Sequence, residues 1–160
     1  MLRGYPRARG RVGENGEMIS TALAQQLRDA GLTWTPVAGD AFQIARPDFE
    51  GDVFTVSDMT IEAHSFSTGT VLGFNGTTEW ALDSIALDDA LWMPREDQLR
   101  DLLRGTFARL ERAVGPDARV AYSVTTSVDG VPAAFSSEDP AEAYGLALLA
   151  LIRRAEPGEA

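Results

Sequence analysis

Leu99, Leu102, Leu103, Phe107 and Leu110 recur at helical spacing behind Pro94 and the acids Glu96 and Asp97. An apolar stripe of that period predicts an amphipathic helix. Proline suits the first turn, where its missing N–H costs nothing, and early carboxylates favour the positive end of the helix dipole. Gly115-Pro116 is expected to end this long central helix. A first helix is expected earlier, with Ser20 as N-cap, Ile19 as a staple residue, Leu23, Leu27 and Ala30 as a thin stripe, and Gly31 as its stop. Asp139-Pro140-x-Glu142 announces a third helix, whose stripe is Tyr144, Leu148, Leu151 and Ile152. Gly145 inside it costs about 1 kcal/mol against alanine, so a close helix approach is expected there.

Between the helices the period shortens. Strands are expected over residues 42–45, 53–56 and 59–66 (two strands, or one broken at Ser57-Asp58), 71–74 and 79–85, with turns at Thr68-Gly69 and Asn75-Gly76. Residues 119–128 and 131–135 flank Asp129-Gly130, the pattern of a second hairpin. Asp88-Asp89 starts a connection or a short helical turn. The expected fold is α+β, an antiparallel β-sheet built from a meander and a C-terminal hairpin and covered by helices, in the order α-β-β-β-β-α-β-β-α. Residues 1–17 are rich in Gly and Arg without periodicity. They are expected to be a disordered arm outside the native protein, with the true start at Met18; residues 18–155 are expected to form one domain and 156–160 a frayed tail.

Composition narrows the chemistry. The 160 residues are 44% hydrophobic, enough for a core, and no apolar stretch approaches a membrane span. There is no cysteine, which excludes disulfides, thiolate catalysis and cysteine–zinc sites and makes a cytoplasmic location the expectation. All 14 basic residues are arginine. A Schiff-base, P-loop or kinase lysine is therefore excluded. A net charge of −10 argues against nucleic acid and against an anionic membrane surface, and permits a basic protein partner.

The candidate residues form two sets. Trp34, Trp80 and Trp92 are either core or an aromatic interaction patch with an acidic rim. Asp58, Glu62, His64 and Asp83 form a polar set around the only histidine. Glu62 and His64 lie two apart on one strand, a spacing usual on solvated faces but able to support acid–base work. No G-x-S-x-G elbow and no acid–Gly–acid calcium loop is present. No cofactor and no metal is expected. The resulting expectation is a non-catalytic binding or adaptor protein, a homodimer engaging another protein. Its alternatives are an acidic inhibitor or immunity-type protein for a basic partner, and a small hydrolase using Glu62 and His64.

The stretches MISTALAQQLRDAGLTWTP, TVLGFNGTTEWALDSIALDDALWMPREDQLRDLL and DPAEAYGLALLALI resemble an uncharacterised family of small acidic actinobacterial proteins, over about residues 18–152. Some members carry a pilus-assembly label after a ParA/MinD-like ATPase. That label does not suit this chain, which has no lysine and no glycine-rich Gly-Lys-Ser/Thr loop. The element order is also similar to that of small acidic secretion chaperones, which implies dimerisation and protein binding.

Overall fold

The computed structural model describes residues 18–56, 61–74 and 84–155. These residues fold as α+β, with three α-helices and three small antiparallel sheets. The helices are α1 (Thr21–Asp29), α2 (Glu96–Leu103) and α3 (Pro140–Ala155). One sheet has β1 (Ala41–Ile44) between β2 (Val53–Thr55) and β6 (Ala90–Trp92). A second is the meander β3 (Ile61–Phe66), β4 (Gly69–Phe74) and β5 (Ser84–Ala86). The third is the meander β7 (Phe107–Val114), β8 (Val120–Val128) and β9 (Val131–Ser137).

The helix ends follow their local signals. Ser20 caps α1 by accepting from the Leu23 N–H at 3.2 Å. Gly31 ends the helix with φ 93°, and the Leu32 N–H reaches back to the Leu27 carbonyl, as in a Schellman motif. Asp139 caps α3, its Oδ1 accepting from the N–H groups of Ala141 (2.7 Å) and Glu142 (3.2 Å). Glu142 does not return to that cap. Its carboxylate accepts from the Ser20 N–H and so ties the start of α3 to the start of α1. The close approach expected at Gly145 is present: a Cβ there would lie 2.6 Å from Leu23 Cδ2 and 3.2 Å from Ile19 Cγ2. Asp129 and Gly130 both take positive φ, 53° and 78°, the type I′ requirement for the two-residue β8–β9 hairpin.

The long central helix is corrected by the structure. It ends at Leu103, where Arg104 turns to φ 51° and Gly105 follows; residues 107–114 continue as β7. The spacing of Phe107 and Leu110 fits a helical stripe, but it also fits a bulged strand. A register shift between Phe107 and Arg109 absorbs one residue. That lets Phe107 and Leu110 both pack against the same core. Gly115-Pro116 ends no helix and starts the β7–β8 turn, in which the Gly115 N–H donates to the Arg119 carbonyl at 2.8 Å. The expected order α-β-β-β-β-α-β-β-α thus keeps its three helices and gains β7 after α2 and two strands before it: the short β6, and one more because β2 and β3 belong to different sheets. The Asn75-Gly76 turn and most of the strand expected over 79–85 lie outside the described residues.

Two apolar cores result. The larger gathers Ile19 just before α1, Leu23 and Leu27 of α1, Leu99 and Leu103 of α2, and Tyr144, Ala147 and Leu148 of α3 against Val124 of β8. The smaller gathers Phe42 and Ile44 of β1 with Leu72 of β4, Ile85 of β5 and Ala90 of β6. All four β1 residues are buried, because alternate positions serve different neighbours. Phe42 and Ile44 enter the small core, Ala41 enters the large one, and the Gln43 side chain meets Thr21 of α1.

Candidate functional site

Trp34 lies five residues beyond the end of α1, in the segment that leads to β1. Its position is set by Asp40, which is only 2% exposed. Asp40 Oδ2 accepts from Trp34 Nε1 at 2.8 Å and from the Val37 N–H at 3.0 Å, and Oδ1 accepts from Gln98 Nε2 at 2.6 Å. A buried carboxylate is tolerable when its oxygens are met in this way. Gln98 also accepts from the Arg95 N–H at 3.1 Å at the start of α2. The Arg95 guanidinium donates to the Gly39 carbonyl at 2.7 Å and to Asp97 Oδ1 at 3.1 Å. The hydrogen bond and charge of Arg95 hold the Asp97 carboxyl below its ordinary pKa. The Trp34 turn and the α2 terminus are therefore one polar assembly.

Trp92 closes β6 and pairs with Phe42 across the sheet. Its ring is nearly parallel to that of Trp34, with centroids 6.2 Å apart and planes 5° apart. Trp34 also meets Phe42 at 5.8 Å, and Phe42 meets Phe54 at 5.6 Å. The two indoles, each half-buried, line an open cleft of about 430 Å³. Leu27, Leu32, Leu87 and Leu91 add apolar wall, and Arg28 and Asp88 supply one charge of each sign. Trp92 Nε1 is buried and has no hydrogen-bond partner. Such a lining offers flat aromatic faces and leucine surface; it is equipped to hold an apolar or aromatic side chain.

The structure thus brings Trp34 and Trp92 together, while Trp80 lies outside the described residues. Of the polar set, Asp58 and Asp83 also lie outside. Glu62 and His64 are placed on β3 opposite Gly73 and Val71 of β4, in register positions alternate to Ala63, which pairs with the buried Leu72. Among the described residues no group of three or more His, Asp or Glu is arranged to hold a metal ion, and no helix is long and apolar enough to cross a membrane.

Two buried polar residues were not singled out in the sequence, Asp40 beside this cleft and Gln43 outside it. Asp40 reads there as half of a Gly-Asp turn, and its contacts with Gln98 span 58 residues. Gln43 did carry a signal, as the one polar residue in the run Ala-Phe-Gln-Ile. No family model, no curated protein and no solved structure matches the chain.

Proposed function

We propose that this protein is a non-catalytic binding or adaptor protein that recognises another protein through the Trp34–Trp92 cleft. The observation that supports the reading is the stacked, half-buried pair of indoles over leucine surface. Tryptophans in such a setting are the residues that dominate binding energy at protein interfaces. The net charge of −10 favours a basic partner, steered by long-range attraction. The same charge favours a second reading, an acidic inhibitor that blocks a basic protein. In both, the work is done in the cytoplasm by surface recognition.

A photo-crosslinking amino acid at Thr33, which is exposed on the cleft wall, tests the proposal in the cell of origin. One predominant adduct is expected. Its purified partner should bind about tenfold more weakly to Asp88→Arg, and more weakly as salt is raised. No adduct, or an adduct whose affinity ignores Asp88→Arg and Leu32→Glu in folded variants, overturns it. The inhibitor reading is separated by assaying the partner: loss of its activity on binding supports inhibition, and unchanged activity supports an adaptor.

A further inference from the structure

A second cleft, of about 600 Å³, opens between α1, β1 and the Pro47 turn. Gln43 lines it and is 6% exposed. Its Oε1 accepts from Thr21 Oγ1 at 3.0 Å, while its Nε2 is buried and has no partner. Turning the amide over would leave the other end unmet, because Thr21 supplies a single contact. An unmet amide in a strand whose four residues are all buried lowers stability, and a methionine would fill the same space without that cost. The amide is therefore better explained by something it binds than by the fold it sits in.

The surroundings indicate what that is. Arg28 and Arg46 line the same cleft and are each about half exposed. Their ion pairs are long, 3.5 Å from Arg28 Nε to Asp29 and 3.6 Å from Arg46 Nη2 to Asp89, so most guanidinium donors remain available. Glu50 is the one acid among the described lining residues, beside two arginines on a strongly acidic chain. Ala45 and Leu91 provide aliphatic wall, and the volume exceeds what an inorganic ion fills.

We propose that this cleft is a binding site for a small organic acid. Its carboxylate accepts from the guanidinium groups and, once the Gln43 side chain turns outward, from its amide, and its aliphatic body lies on Ala45 and Leu91. Arginine presents paired N–H donors in the geometry of a carboxylate, which makes it the fitting cation for the rim.

Hexanoate titrated into the full-length ¹⁵N-labelled protein tests the site, with hexanol and inorganic phosphate as controls for body and charge alone. Hexanoate is expected to move the Gln43 side-chain NH₂ signals saturably, and neither control should do so. Gln43→Met and Arg46→Gln should each weaken binding at least about tenfold. Gln43→Met should also raise the ligand-free Tm by roughly 2–4 °C, the reverse of what a merely structural amide would do. No saturable shift with hexanoate, an equal response to phosphate, undiminished affinity in Arg46→Gln, or a lowered Tm in Gln43→Met overturns the proposal. Gln43 and Arg46 do not line the tryptophan cleft, so failure here leaves the protein-binding proposal standing.

Discussion

Around Leu99 and Tyr144 the polar groups sit at helix ends and are matched. Ser20 serves the Leu23 N–H, Asp139 serves two N–H groups of α3, and Glu142 joins α3 to α1. Around the β2-β1-β6 sheet the pattern differs. Trp92 Nε1 and Gln43 Nε2 are buried there without partners, and both clefts lie against this sheet. One region spends its polar atoms on stability and the other keeps some unspent. Unmet buried donors cost about 1–3 kcal/mol each, and a protein of ordinary stability has only about 5–15 kcal/mol in hand. Their concentration beside two clefts is the ground on which both binding proposals stand.

The contrast can be broken most forcefully at Asp40, the satisfied buried group of the binding side. Asp40→Ala strands Trp34 Nε1, the Val37 N–H and Gln98 Nε2 together. A loss of about 2–4 kcal/mol is expected in urea unfolding, with a shift in tryptophan emission as Trp34 leaves Trp92. A neutral result would mean that Trp34 is not held by this carboxylate. Gly145→Ala probes the matched side. Its Cβ would press on Leu23 and Ile19, both nearly fully buried, at a cost of about 1–3 kcal/mol; the gain of about 1 kcal/mol in helix propensity offsets part of it. A net loss of roughly 1 kcal/mol is expected, measured by the same unfolding curves.

Asp139→Ala removes the α3 cap and should cost about 1 kcal/mol without altering either cleft, so ligand and partner affinities stay as they were. The smallest effect is that of pH on Asp97. Its folded-state pKa is depressed by Arg95, so its contribution is fully present above the ordinary aspartate value and is lost as pH falls through the lower, folded one. Asp97 is more than half exposed, so the contribution is slight. Asp97→Asn should flatten the acid limb of the stability curve a little and leave neutral stability almost unchanged.

The caps of α1 and α3, the Gly31 stop, the Asp129-Gly130 turn and the Gly145 contact site were legible because each rests on residues close in sequence or on one telling glycine. Residues 107–114 were not. Their apolar spacing of three suits both a helix and a bulged strand, and pairing with residues 120–126 decides between them. Of the candidate patch, Trp34 and Trp92 were nominated by residue type alone, while the carboxylate that positions one of them passed as turn material.

What the sequence determined by itself was local: α+β elements with antiparallel pairing, two well-capped helices, and a chemistry without thiol or amine groups. What only the tertiary structure decided was which face each element shares with another. Asp40 reaches Gln98 across 58 residues, Trp34 stacks on Trp92, and Gln43 is buried opposite Thr21. Each depends on chain segments far apart in sequence, and neither capping nor periodicity encodes a contact of that range.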